Sequence, residues 1–183
     1  MLLFIRSLSR AAFLAIGVTI LSHTSEAIAA ERVILKYKVF RESISVPQLA
    51  TFAQTGEISQ SLRFYLDATR QNPEDVRRVL NRPIDVNIVT LDRTLNSRIG
   101  ELLLDQVGQA IHPPVEEVNR QALRSALVLS AQSDNQVSLI EVLQNYPTAE
   151  VEVEGERLVQ AYRQLSALNG RLRNVAEELI RRL

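Results

Sequence analysis

Apolar positions in this chain change period repeatedly, and each change marks an element. Val33, Leu35 and Tyr37 alternate with Ile34, Lys36 and Lys38, and Ile44 and Val46 alternate with Ser43 and Ser45. Residues 31–46 are therefore expected to form a β-hairpin, with its turn around Lys38 to Arg41 and no Gly to set the turn type. Pro47 suits the first position of a helix that runs to about Thr55 and closes at Gly56. Ser59 caps a second helix with Leu62, Tyr65 and Leu66 on one face. Asn72-Pro73-Glu74-Asp75 starts a third, carrying Val76, Val79 and Leu80.

The alternation of Ile84-Asp85-Val86-Asn87-Ile88 predicts a half-buried strand, after which Thr90 caps a short helix. A longer helix is expected from Ser97 to about Ile111, with Ile99, Leu102, Leu103, Val107 and Ile111 on its inward stripe. His112-Pro113-Pro114 stops it. Residues from about Glu116 to Ala131 predict a further helix facing inward through Leu123, Ala126, Leu127 and Ser130. Ser133-Asp134-Asn135 reads as a loop. Ser138 and Glu141 then make a capping box ahead of Leu139, Ile140, Val142 and Leu143, and Asn145-Tyr146-Pro147 ends that helix. Glu150 to Glu154 alternates as a short strand with its acids outward, and Gly155 leads into a long C-terminal helix.

These elements define an α+β fold, mainly helical, with about six to eight helices. The sheet is small: the N-terminal hairpin plus one or two short strands. Upstream of the hairpin the pattern differs. Arg6 and Arg10 flank an apolar run over residues 11–21, and Ala27-Ile28-Ala29 has small residues at both ends. Residues 1–29 are expected to be a signal peptide, cleaved after Ala29 or, as second choice, after Ala30. The run is shorter than the roughly 20 residues a membrane span requires. The expected destination is extracytoplasmic: periplasm, thylakoid lumen or medium. Residues 30–165 then form one domain, and 166–183 extend its last helix.

Composition narrows the chemistry. The 183 residues include 21 Lys+Arg and 21 Asp+Glu, no Cys, no Trp and two His. Disulfide scaffolds, cysteine-ligated metals and cysteine nucleophiles are excluded. Balanced charge argues against a nucleic-acid partner.

The order of several motifs is familiar. The hairpin is followed by Leu49-Ala50-Thr51-Phe52-Ala53 and Gly56, then by Leu95-Asn96-Ser97 with Gly100-Glu101. Ala122-Leu123-Arg124-Ser125-Ala126-Leu127 and Leu139-Ile140-Glu141-Val142-Leu143, ending in Tyr146-Pro147, complete the series. Over about residues 31–165 the chain resembles the cyanobacterial domain-of-unknown-function family 1400. That resemblance implies a module placed between a signal peptide and an α/β-hydrolase domain in longer relatives. The chain as read stops at Leu183, where such a domain would begin, and has no Gly-x-Ser-x-Gly nucleophile elbow. What the resemblance implies here is thus an exported helical module, with no catalytic residue carried over.

Few side chains are placed for chemistry. His112 is the only His of the expected mature chain, so any Ser-His-Asp triad must use it. Just past a helix end, it is better explained by the negative end of the helix dipole, and Asp105 lies two turns back. Glu150, Glu152 and Glu154 share one strand face, as a hard cation such as Ca²⁺ would need, but without a Gly-turned loop a solvated face is the expectation. Arg77, Arg78 and Arg82 beside Glu74 and Asp75 read as a local ion-pair network. No catalytic residue, metal site or cofactor is assigned.

The C-terminal helix carries the candidate partner-binding stripe. Leu165, Leu168, Leu172, Val175 and Leu179 follow 3-4-3-4 spacing, widened by Leu158, Tyr162, Ala176, Ile180 and Leu183. Uncovered, such a stripe marks an interaction site; alternatively it folds back on its own core. The expected function is a non-catalytic interaction module that contacts a protein partner, a separate hydrolase among the options, or a second copy of itself. The alternatives left open are an esterase using His112, and a small-molecule or lipid carrier. N-terminal sequencing of the exported protein should read from Ala30; an intact N-terminus would instead make residues 1–29 an anchor.

Overall fold

Two strands open the domain because alternate residues there have opposite solvent preferences. The structure, a computed structural model, describes residues 29–115 and 118–158. All of the expected signal peptide except Ala29, and the leucine stripe from Leu165 to Leu179, lie outside the described residues. Strands β1 (Arg32–Tyr37) and β2 (Phe40–Ser45) pair antiparallel from Arg32↔Ser45 to Tyr37↔Phe40. The loop left over is Lys38-Val39, and Lys38 takes the positive φ, 55°, at its first position. Two-residue hairpin loops that match the strand twist require that conformation there, and a lysine supplies it in place of Gly.

The helices begin where the sequence offers a side-chain oxygen. Ser45 caps α1 (Val46–Thr55), and Gly56 closes it with φ 83° and a bond from its N–H to the Phe52 carbonyl. Ser59 caps α2 (Gln60–Thr69), and Asn72 caps α3 (Pro73–Asn81). α3 in turn completes α1: Arg77 donates to the carbonyls of Ala53 (3.0 Å) and Gln54 (2.7 Å), and Asn81 donates to Ala53.

The next stretch departs from expectation. The strand predicted over 84–88 is only β3 (Ile84–Asp85) and does not join the main sheet. It pairs instead with β5 (Gln136–Val137), a strand the sequence reading placed in no element. The alternation is real, since Ile84, Val86 and Ile88 are each half-buried, but the ladder stops because Asn87 turns to cap α4 (Ile88–Leu95). Asn87 accepts from the N–H of Thr90, so Thr90 is the capped residue and not the cap.

α5 (Arg98–Gly108) also corrects the reading. Its buried residues are Gly100, Leu104, Val107 and Gly108, whereas Ile99 and Leu102 are 65% and 69% exposed. The inward face is the one with the smallest residues. A Cβ on Gly100 would lie 2.5 Å from the Cα of Leu95, so α5 can start against the end of α4 only through glycine. Ile111, expected on the helix, is buried in β4 (Ile111–His112).

α6 (Asn119–Ala131) turns Ala122, Leu123, Ala126, Leu127, Ser130 and Ala131 inward. α7 (Leu139–Gln144) has both halves of its capping box, Ser138 with Glu141. The last described strand, β6 (Glu150–Glu154), enters the middle of a four-stranded sheet of order β2-β1-β6-β4. It runs parallel to β1 and antiparallel to β4. Residues 155–158 then begin a helical turn; the expected long C-terminal helix beyond it lies outside the described residues.

One sheet face, made by Val33, Ile44, Val151, Val153 and Ile111, is buried in the core with Leu49, Phe52, Leu123 and Leu143. Tyr146 is fully buried, and its hydroxyl donates to Asn119 (3.3 Å), whose amide donates to the Gly108 carbonyl (3.4 Å). The α+β class and small sheet are as expected. Among the described residues no helix is long and apolar enough to cross a membrane.

Gly100→Ala gains about 1 kcal/mol of helix propensity but forces the α4–α5 junction apart. We expect a net loss of about 2 kcal/mol in denaturant unfolding. A neutral or stabilising result would show that the junction yields without strain.

Candidate functional site

Strand alternation collects the charged residues on the sheet face opposite the core. β1 contributes Arg32, Ile34 and Lys36, β2 contributes Arg41 and Ser43, β6 contributes Glu150, Glu152 and Glu154, and β4 contributes His112. The registers Arg32↔Glu150 and Lys36↔Glu154 set basic β1 positions beside acidic β6 positions. Arg32 Nη2 reaches Glu150 Oε1 at 2.7 Å.

Glu152 is the centre of this face. It is only 7% exposed, because β6 is flanked by strands on both sides. Its carboxylate accepts from the Lys36 ammonium and, at 3.0 Å, from Arg41. Lys36 Nζ also lies 3.1 Å from Glu154 Oε1. The bond to Glu152 holds the Lys36 ammonium above the usual lysine range; burial opposes this, and Glu154 adds to it. The expectation of a solvated acidic face is therefore corrected: interior placement of the strand buries Glu152, and cations from β1 and β2 neutralise it.

His112 is not at a helix end. α5 stops at Gly108, and His112 pairs with Glu152 across β4 and β6. Its Nδ1 lies 3.0 Å from the Pro113 carbonyl and 3.9 Å from Glu152, and its Nε2 lies 3.9 Å from Glu154. Asp105, the other sequence candidate, pairs with Arg120, with Nη2 2.6 Å from Oδ2. That bond holds the Asp105 carboxyl below the usual carboxylate range.

One ligating atom from each of His112, Glu152 and Glu154 can be chosen so that all lie within 4.8 Å of one another. Such a trio can chelate a cation in principle. Here the Lys36 ammonium bridges the two carboxylates and supplies the positive charge itself, so a metal would have to displace it. Several serines among the described residues have structural bonds of their own. Ser45, Ser59, Ser97 and Ser138 cap helices, and Ser130 bonds Ala126 and Asn145. Of the basic cluster on α3, Arg78 pairs with Asp75 at 3.1 Å as expected, while Arg77 caps α1.

A second feature lies on the core side of the sheet. An apolar cleft of about 310 Å³ opens between the sheet and helices α1–α3 and α7, with Leu35, Tyr37, Tyr65, Val76 and Leu158 among its walls. Sequence reasoning left such a pocket open without locating it; Tyr37 and Tyr65 come together only because the hairpin packs against α2. Leu158, at the start of the expected C-terminal stripe, is half-buried against the core.

A family model described as an alpha/beta hydrolase of unknown function (DUF1400) matches residues 29–154, more than half of the chain. No curated protein and no solved structure matches it.

Glu152→Gln should lower stability by about 2 kcal/mol at neutral pH, the scale of a charge-assisted hydrogen bond. Because the native state raises the Lys36 pKa, its contribution is complete below 10.5 and fades as pH rises through the folded value. The gap between wild type and variant should therefore shrink in strong alkali, read from denaturant midpoints across pH. A gap that stays constant would place the effect elsewhere.

Proposed function

This chain belongs to the family described as alpha/beta hydrolases of unknown function, and from that premise we propose that it is itself a non-catalytic interaction module of an exported protein. The observation that carries the reading is the position of His112. The only imidazole among the described residues faces two carboxylates and a backbone carbonyl in an ion-paired sheet face. Acyl transfer by a triad needs that ring between a hydroxyl and an orienting acid. The strand–turn–helix elbow that strains a nucleophilic Ser into reach has no Gly-x-Ser-x-Gly counterpart in the sequence.

Interaction is the function left to the surface. The contact runs through Leu165, Leu168, Leu172, Val175 and Leu179, and takes a protein partner or a second copy of the chain. Leu158 supports this: it rests half-buried on the domain at the point from which the stripe continues. A separate hydrolase is one option for the partner, by analogy with the longer relatives that the resemblance implies.

Two measurements test the reading together. Neither the wild type nor His112→Ala should turn over short-chain esters. Deletion of residues 167–183 should lower the mass in solution or abolish capture of a partner from the exported fraction. Ester hydrolysis lost in His112→Ala would overturn the non-catalytic reading. Loss of stability with unchanged mass and capture would make the segment part of the core.

A further inference from the structure

We propose that the outward face of α5 is an interface between two copies of this chain, which lie antiparallel there about a two-fold axis near Leu102. The surface is separate from the C-terminal leucine stripe, so either contact can be absent without the other.

The face is apolar where a solvated helix would be polar. Gly100, Leu104, Val107 and Gly108 take the inward side of α5, which leaves Ile99 and Leu102 outside with nothing packed on them among the described residues. The helix cannot roll to hide them, because rotation would bring a Cβ against Leu95, where only glycine fits. Two large apolar side chains one turn apart on a helix surface form a ready anchor for another surface.

The flanking charges select that surface. Arg98, Leu102 and Asp105 follow i, i+4, i+7 spacing, so a cation and a carboxylate stand at opposite ends of one stripe with the leucine between them. In an antiparallel pair centred on Leu102 the two leucines meet, and Arg98 of each copy faces Asp105 of the other. Both ion pairs then form at once, as a self-complementary interface requires. A parallel pair would set Arg98 against Arg98 and Asp105 against Asp105. Antiparallel packing also opposes the two helix dipoles.

Both charged groups are available. The Arg98 side chain has no hydrogen bond or ion pair among the described residues. The Asp105 side chain is 43% exposed, although it is bonded to Arg120. That bond holds the carboxylate in place on α5 and leaves lone pairs for a second donor. With 11 residues, α5 offers about 16 Å of helix. The contact is therefore smaller than a standard interface, and the dimer is weak and concentration-dependent.

The test is sedimentation equilibrium of the full chain from about 1 µM to about 1 mM, the range of weak association. The mass should rise from one chain toward two. Leu102→Glu, which sets two carboxylates face to face at the axis, should weaken association about tenfold or more. Arg98→Glu, which sets a carboxylate against each Asp105, should do the same. Both positions are exposed in the single chain, so neither variant disturbs the fold. Because the chain has no Cys, Leu102→Cys should give a disulfide-linked dimer on mild oxidation, well ahead of Phe64→Cys on the exposed side of α2. A chain that stays single throughout, as would follow if residues 159–183 or a different protein covered α5, overturns the proposal. So does a dimer that Leu102→Glu or Arg98→Glu leaves unchanged, or cross-linking no faster at Leu102 than at Phe64.

Discussion

Everything in this domain is organised by the parallel pairing of its first and last described strands. Arg32 on β1 and Glu150 on β6 are 118 residues apart in sequence and share one ion pair. Between them the chain builds α1 to α7, and only when β6 enters between β1 and β4 is the sheet complete. The register is pinned from both faces. Val151 and Val153 must meet the core, while Glu150, Glu152 and Glu154 must meet Arg32, Lys36 and Arg41. A slip by one residue would bury three acids against leucines and expose two valines, so alternative pairings are strongly disfavoured.

That constraint explains why the residues with catalytic potential take structural roles. Glu152 is buried because the strand carrying it is interior, and a buried carboxylate survives only with paired cations. Lys36 and Arg41 supply them, and His112 sits beside them on the short strand β4. Ser45, Ser59, Ser97 and Ser138 sit at helix starts, where they satisfy N–H groups that the helix cannot. The chain belongs to a family described as alpha/beta hydrolases of unknown function, and its described residues place His112 in an ion-paired sheet face.

Close packing in the helical layer relies on small side chains and a few buried polar ties. Gly100 lets α5 begin against α4, and Gly108 leaves room for Asn119, whose amide joins Tyr146 to the α5 carboxyl end. Burial pushes the Tyr146 hydroxyl pKa upward, which keeps it a donor in this chain of bonds. The cleft arises in the same architecture, where the hairpin, α2 and α3 meet around Tyr65 without filling the space between them.

Much of this was legible from local chemistry. Ser45 and Gly56 frame α1, Ser59 and Asn72 start α2 and α3, and Ser138 with Glu141 starts α7, because a cap needs only its own neighbours within three or four residues. The hairpin and β6 were legible for the same reason, since period-two alternation is local. The inward face of α5 was not: leucine count favoured Ile99 and Leu102, but the neighbouring helix demanded a glycine. Nor was His112 legible, because its partners Glu152 and Glu154 arrive from β6, forty residues later in the chain. The sequence by itself thus determined the hairpin, β6 and where most of the helices begin, but not the short strands β4 and β5. Only the tertiary structure decided which carboxylate would be buried and where a cavity would remain, since burial depends on which elements lie on either side, and no local pattern encodes that.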